Sequence, residues 1–587
     1  MEHTMRKITL FTLLVATLVA LGGCRDLTVE NLNEPDRERA LAEDGDLVSL
    51  LQGATTNTIY ELNNLWGVHM GGLSDQMTST NRYLSFWSFT DEPRERLNNR
   101  TTFADAVIFN APWSTFNGTV SSANEIIRAI EVDGRTIEVD GEDLTQRMLA
   151  SAYFIRGVAR GYVGLIYDQG YLVDIDTDLA SLQPVPYTDL IAAAVEDLNT
   201  AIAAADAAGA SFLWDLLPGD NSYDLAEFKE IAHSFAAKIL INQARTNAEA
   251  AGLPWAQILQ HANNGIGTAL PSFSPASSAA AGFTSNYADW STYVLGDGAG
   301  YLPTDIKVAH LLDPSYPVEY PTQDGVVLDP AVSDDPRLAY FNYTPNFGFL
   351  NAARRRALFS NYWNLRMSAN NDWFRSDGYG VPVITGSEMQ YIKAEAHLWQ
   401  GDKAAAAQAL NNSPHGSVPT KLEHPLPAVT EGILANAGID FGGADGLAAG
   451  FTLTGAESDA EFIRILHKEY SVELDLMGSI GIQWFFMRRH DLLQPGTALH
   501  YAIPGEELEI SGIPYYTFGG ADYAGEPGTA SGDNNWKTFD ARNGLSPASK
   551  HAARHQLNSA TYGPARIEMV LPRSSFYGPD GRMKGRQ

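Results

Sequence analysis

Residues 387–412 read SEMQYIKAEAHLWQGDKAAAAQALNN and divide into two helices with a turn between them. Gly401 ends the first helix, as glycine does where the chain must leave a helix left-handed. Residues 404–410 form the second. Small residues before the turn and alanines after it keep both helices slim, so they can pack closely. A chain built on such pairs should carry amphipathic helices on either side of this one.

It does. From Asp46, DLVSLLQGATTNTIYELNNLW sets Leu47, Leu50, Leu51, Ala54, Thr58 and Leu62 close to helical spacing. In WSTFNGTVSSANEIIRAIE, Trp113, Phe116, Val120, Ala123, Ile127 and Ile130 fall on one side. TQRMLASAYFIRGVARGYVGLIYDQGY is helical too, and its Gly157, Ala159, Gly161 and Gly164 admit a close partner helix. PYTDLIAAAVEDLNTAIAAAD repeats Leu190, Ala194, Leu198 and Ile202 behind an opening proline, and LAEFKEIAHSFAAKILINQART follows as another helix. DAEFIRILHKEYSVELDLMGSIGIQWFFMRRHDLL reads as one further long helix. The 387–412 pair resembles a tetratricopeptide unit, without a strict 34-residue register. Residues 271–382 differ: rich in Pro, Gly, Ser, Tyr and Trp, they read as loops, turns and short strands. The expected fold is mainly α, a tetratricopeptide-like paired-helix scaffold with a large loop-rich insertion and a few short strands. The segment after residue 510 is mixed and Gly-rich, with ARIEMVLP as a candidate strand.

Arg6 and Lys7 precede an apolar run over residues 8–21. As a helix that run spans about 21 Å, too short for a hydrocarbon core of about 30 Å but suited to a signal peptide. It closes on Leu21-Gly22-Gly23-Cys24, which resembles the lipobox of bacterial lipoproteins, and Cys24 is the only cysteine in the chain. The expectation is a signal peptide over 1–23, lipid on Cys24, a tether over 24–45 and one domain over 46–587. Within that domain the scaffold covers 46–270 and 383–510, the ligand-facing loops 271–382 and an irregular C-terminal region 511–587. The net charge of −30 argues against nucleic acid as a partner and against adhesion to anionic membranes through protein charge.

No catalytic motif is present. His551 and His555 stand four apart without the glutamate of a metalloprotease helix, and the glycines of residues 296–300 neither follow a strand nor open a helix. There is no nucleophile elbow and no phosphate loop, and no catalytic residue, metal site or cofactor is expected. What stands out is aromatic and amide density in the loops. Asp75, Asn81, Arg82, Tyr83 and Trp87 lie in the first loop; Trp290, Tyr293, Trp363, Arg366 and Trp373 lie in the insertion. Flat aromatic faces cover the apolar face of a sugar ring while amide, carboxylate and guanidinium groups bond its hydroxyls. These ten residues are the candidate ligand contacts.

The order of motifs resembles the SusD/RagB family of outer-membrane nutrient-binding lipoproteins, from the signal peptide to about residue 510. After the lipobox, LTVENLNEPDRERAL is similar to the family's entry into its first helix. Leu73-Ser74-Asp75 follows, then Trp113 and Asn124. RMLASAYFIRGVARGYVGLIYDQGY and YTDLIAAAVEDLNTAI resemble the next two family helices. Glu388, Ala394, Glu395, Ala396 and Gly401 match within 387–412; Glu469, Glu473, Leu474, Gly478, Asp491, Leu492, Ile503, Pro504, Glu507 and Leu508 match beyond it. Tyr470 and Met477 replace a family arginine and glutamate, and the last ~70 residues have no counterpart. The resemblance implies a helical scaffold whose loops bind oligosaccharide, at the cell surface of the outer membrane. It also implies a SusC-like TonB-dependent barrel that the lipoprotein caps. Peptide capture, a surface-anchored hydrolase and a self-assembling surface protein remain open alternatives.

Overall fold

A computed structural model describes residues 41–62, 64–79, 85–217, 221–267, 270, 272–275, 302–321, 326–333, 335, 337–338, 341–343, 345, 358, 360–364, 383–412, 453–475 and 481–542. Cys24 and its leader, Asn81, Arg82, Tyr83, Trp290, Tyr293, Arg366, Trp373, residues 296–300, both histidines of the 551–555 pair and ARIEMVLP lie outside them. The main helices are α1 (Asp44–Glu61), α2 (Leu65–Leu73), α3 (Val107–Ile127), α4 (Thr145–Ile166), α5 (Tyr187–Ala208), α6 (Leu225–Asn242), α7 (Trp255–Asn263), α8 (Ile306–Leu312), α9 (Gly386–Trp399), α10 (Lys403–Asn411), α11 (Asp459–Val472), α12 (Ile482–Arg489), α13 (Gly505–Ile510) and α14 (Trp536–Arg542). Strands are few and short. β1 (Ser272–Phe273) pairs antiparallel with β4 (Ile384–Thr385), and β2 (Phe341–Tyr343) with β3 (Tyr362–Asn364).

The described fold is mainly α. Each scaffold helix packs on the next: α1 on α3, α3 on α4, α4 on α5, α5 on α6, α6 on α7, α7 on α9 and α9 on α10. One hydrophobic core runs from Leu47 to Phe539. The glycines of α4 explain its two close neighbours. A Cβ on Gly157 would meet the Ala194 carbonyl of α5 at 2.8 Å, and one on Gly161 would meet Ile239 Cδ1 of α6 at 2.4 Å. At the α9–α10 turn Gly401 takes φ 81°. Asp402 then caps α10 by accepting the Ala405 N–H at 3.0 Å.

Several expectations need correction. The segment 459–493 is two helices, because Gly481 adopts φ 80° at the start of α12 against the Gly67 carbonyl, where a Cβ would sit at 2.6 Å. Helix α2 continues through Gly71, Gly72 and Leu73, expected as loop, and Trp87–Thr90 forms one helical turn. The insertion contains α8, all seven of whose residues are buried. A helix buried on every side shows no amphipathic period, so nothing in its sequence marked it. With Tyr316, Leu328, Phe341, Tyr362 and Val472 it builds a second, smaller core. The scaffold also begins before residue 46: Arg135 ion-pairs with Asp44 at 2.6 Å and donates to the Leu41 carbonyl at 2.8 Å.

The glutamates that carried the family resemblance are scaffold groups. Arg489 meets Glu395 with two bonds of 2.8 Å, and His490 adds a third at 2.9 Å, tying α12 to α9. Lys238 reaches Glu388 at 3.1 Å, tying α6 to α9. Arg337 of the insertion clasps Glu469 of α11 at 2.8 and 2.9 Å, and the Tyr391 hydroxyl donates to the same carboxylate at 2.9 Å. Paired in this way, charges can lie in a core that would otherwise reject them.

Candidate ligand-binding face

Three loop roots are knit together by main-chain bonds. Met77 bridges to Thr304, and Thr304 bridges to Tyr362 of β3. The Thr78 N–H donates to the Pro303 carbonyl at 2.9 Å, the Thr304 N–H to the Tyr362 carbonyl at 2.9 Å, and the Asp305 N–H to the Gln76 carbonyl at 3.1 Å. The chain passes from Ser79 into residues 80–84, returns at Leu302 after 276–301, and leaves Asn364 into 365–382. Those three segments hold seven of the candidate contacts: Asn81, Arg82, Tyr83, Trp290, Tyr293, Arg366 and Trp373. The roots meet at one place on the scaffold although 58 to 285 residues separate them in sequence.

Asp75 sits beneath this junction, and its expected role needs correction. It is 2% exposed, adopts φ 53°, and its carboxylate is enclosed. Arg94 ion-pairs with one oxygen, while Gln494 Nε2 and Trp536 Nε1 of α14 donate to the other at 2.8 and 2.7 Å. Burial alone would raise its pKa, but the Arg94 and Lys307 charges outweigh that and hold it below the usual carboxylate range. Lys307 of α8 also donates to the Ser74 carbonyl at 2.6 Å. Asp75 therefore clamps the roots together from below and has no face for a ligand. The polar stretch LSDQ looks like an exposed loop because its cations come from residues 94 and 307, which local sequence does not link to it.

Trp363 is also displaced from its expected role. It lies in β3, where all three residues are buried, and is only 3% exposed, so its ring packs inside. Trp87, in the turn Trp87–Thr90, is half-buried and keeps part of its ring at the surface. Residues without an expected role complete the junction. Lys537 of α14 bridges Glu92 at 3.0 Å and Glu319 at 3.1 Å, and the Tyr320 hydroxyl donates to Asp305 at 2.6 Å. Trp536 carried one signal, a large aromatic within the polar stretch GDNNWKTFD.

Asp305 is pushed up to about 7, first by burial and then by the charge on Asp75. A neutral carboxyl beside an ionised one is the charge pattern of acid–base catalysis. Here both groups are enclosed, 4% and 2% exposed, and their oxygens are held by Tyr320, Gln494, Trp536 and Arg94. The pair fixes loops and leaves no room for a substrate between its members. Among the described residues no three His, Cys, Asp or Glu side chains are placed to hold a metal ion. Among them, too, no helix is long and apolar enough to cross a membrane.

No family model and no curated protein matches the chain. Solved structures do, at low identity. A SusD superfamily protein from Bacteroides thetaiotaomicron is 13% identical, with 81% of this chain and 94% of that one covered and a TM-score of 0.47. A SusD-like carbohydrate binding protein from Bacteroides vulgatus is 12% identical, covering 76% and 83%, with a TM-score of 0.44. A structure described with a xylogluco-oligosaccharide is 13% identical, covering 76% and 82%, again with a TM-score of 0.44. This chain is similar in fold to solved SusD-like proteins.

Proposed function

We propose that the chain is a lipid-anchored outer-membrane protein that binds oligosaccharides at the cell surface. It passes them to a SusC-like TonB-dependent barrel, for which it acts as the extracellular lid. The supporting observation is the junction of residues 77–78, 303–305 and 362, where three segments dense in aromatic and amide side chains spring from one rigid base. A rigid base under variable loops is how binding proteins hold contacts in register without ordering each loop separately. The lipobox and the order of family motifs supply the anchor and the barrel partner. The reading needs binding and release only, with no bond made or broken and no cofactor.

Calorimetry with neutral oligosaccharides and with peptides tests it. Replacing Trp87, Trp290 or Trp373 singly by Ala should weaken oligosaccharide binding by about 1–3 kcal/mol if each stacks on a sugar ring. Unchanged affinity in all three variants would place the sugar elsewhere, and peptide binding alone would favour the peptide-capture reading. Purification in mild detergent should bring a large β-barrel with the protein; its absence would defeat the lid.

A further inference from the structure

Residues 96–100 read RLNNR, and their burial alternates: Arg96, Asn98 and Arg100 are exposed while Leu97 and Asn99 are buried. That is the period of an extended chain, whose successive side chains point to opposite faces. The buried side is tied down. The Leu97 N–H donates to the Phe518 carbonyl at 3.0 Å, the Leu97 carbonyl accepts the Thr517 hydroxyl at 2.9 Å, and Asn99 Nδ2 donates to the Ile503 carbonyl at 2.8 Å. The exposed side is steadied by aromatic rings. The Arg96 guanidinium lies 4.0 Å from the centre of the Tyr523 ring, and that of Arg100 lies 3.8 Å from the centre of the Tyr515 ring. A guanidinium held by its flat face still has its N–H groups around the edge. Arg96 uses one of them on the Thr517 carbonyl at 2.9 Å; the Arg100 guanidinium donates to no described residue.

Arg96, Asn98 and Arg100 line an open surface groove of about 460 Å³ together with Tyr515, Tyr516 and Thr517. Among the described residues no carboxylate lines it, and neither guanidinium has an ion-pair partner. The neighbouring hollow that shares Arg96 is different, for Glu92, Glu95 and Asp522 line it. In a chain of 70 acidic and 40 basic residues, a groove with two arginines and no acid is a local reversal of charge. Four steps of extended chain set the two arginine positions about 13 Å apart. One small anion cannot meet both, but a ligand whose charges recur along its length can. Between them Asn98 accepts the Arg100 N–H at 3.2 Å and keeps its Nδ2 for a hydroxyl. Nucleic acid does not fit, since its phosphates are much denser and the net charge of −30 opposes them. A peptide strand fits poorly too, because both main-chain groups of Leu97 are already bonded and recognition falls to side chains.

We propose that this groove binds an acidic oligosaccharide, with successive uronate carboxylates against Arg96 and Arg100 and a hydroxyl on Asn98. A planar carboxylate matches the fork of N–H groups that each guanidinium presents. The inference rests on the glycan-binding reading and adds to it a class of sugar and a surface apart from the loop junction. The test is calorimetry on the mature full chain with three probes: trigalacturonate, its methyl ester and a glutamate hexapeptide. Trigalacturonate should bind, more weakly as salt is raised, and the ester and the peptide should bind about tenfold more weakly. Both arginines are exposed, so Arg100→Gln and Arg96→Gln should keep the wild-type circular dichroism and melting temperature. Arg100→Gln should lose about tenfold in trigalacturonate affinity. Arg96→Gln should lose less, because Arg96 also borders the acidic hollow. No trigalacturonate binding by folded wild type, equal binding of acid and ester, equal binding of the peptide, or full affinity in Arg100→Gln would each overturn the proposal. A neutral xylogluco-oligosaccharide, measured on the same preparations, separates the two readings. If it binds while trigalacturonate does not, the loop face stands and this groove does not; if neither binds, the glycan-capture reading falls as well.

Discussion

Arg488 and Arg489 are consecutive on α12 and both fully buried, yet their surroundings are opposite. Arg489 faces a carboxylate with matched geometry, two 2.8 Å bonds to Glu395. Arg488 donates instead to the backbone carbonyls of Leu165, Leu499 and Asn242. The first residue is a staple: its charge is neutralised inside the protein and it joins two helices. The second is held by carbonyl dipoles, and the charge of Glu249 offsets its burial only in part. Burial by itself therefore does not say how a charge is held; the nearest full counter-charge does.

The comparison can be broken most severely at the staple. Glu395→Ala leaves Arg489 buried without a counter-charge and should cost about 3–5 kcal/mol in urea denaturation. Replacing both partners, as Glu395→Leu with Arg489→Met, should recover much of that loss; a single variant within ~1 kcal/mol of wild type would remove the staple from the account. Arg488→Met should cost less, about 1–3 kcal/mol, because it forfeits bonds to carbonyls but also removes a buried charge that Glu249 offsets only in part. A loss larger than that of Glu395→Ala would reverse the contrast.

Titration sharpens the same point. Burial pushes against the charge on Glu395, but Arg489 and His490 prevail and hold it at about 2, below its unfolded 4.5. The stability it contributes is present above pH 4.5 and is lost as pH falls towards 2. Glu61 of α1 is the reverse case. Burial raises it to about 7, and the groups that donate to it, Asn64 and Thr115, are uncharged. Its protonated form favours folding below pH 4.5, and that contribution disappears as pH rises through 7. Glu61→Gln should accordingly flatten the fall in stability between pH 5 and pH 8, by on the order of 2 kcal/mol. Parallel melting curves of variant and wild type across that range would contradict the assignment.

The smallest effects test the helix contacts. Gly157→Ala presses a methyl group on the Ala194 carbonyl and should cost about 1–3 kcal/mol. Gly53→Ala, within α1 and with nothing inside 4 Å of the added carbon, should gain about 0.5–1 kcal/mol. Equal melting shifts for the two would mean that α4 does not need its glycines to seat α5.

Much of the fold was legible because helix periodicity and turn chemistry are local. Gly401 and the glycines of α4 stand where the structure needs them. Helix α8 was illegible for the reason that makes it central: it is buried on all sides, its Lys307 and His310 included. The break at Gly481 was hidden because a glycine within an apolar run reads equally as a close-packing residue. At the candidate face, aromatic and polar density did not foresee the burial of Asp75 and Trp363, the first enclosed by partners far away in the chain.

The sequence by itself determined the helix-pair scaffold, since helix periodicity and turn glycines are written in contiguous residues. Which charges are staples and which loops share a root were decided only by the tertiary structure. Glu395 with Arg489, Met77 with Thr304, Thr304 with Tyr362, and Arg245 with Gly164 and Leu499 are pairings across 58 to 254 residues of chain. Electrostatic energy depends on distance in space, and no local pattern encodes it.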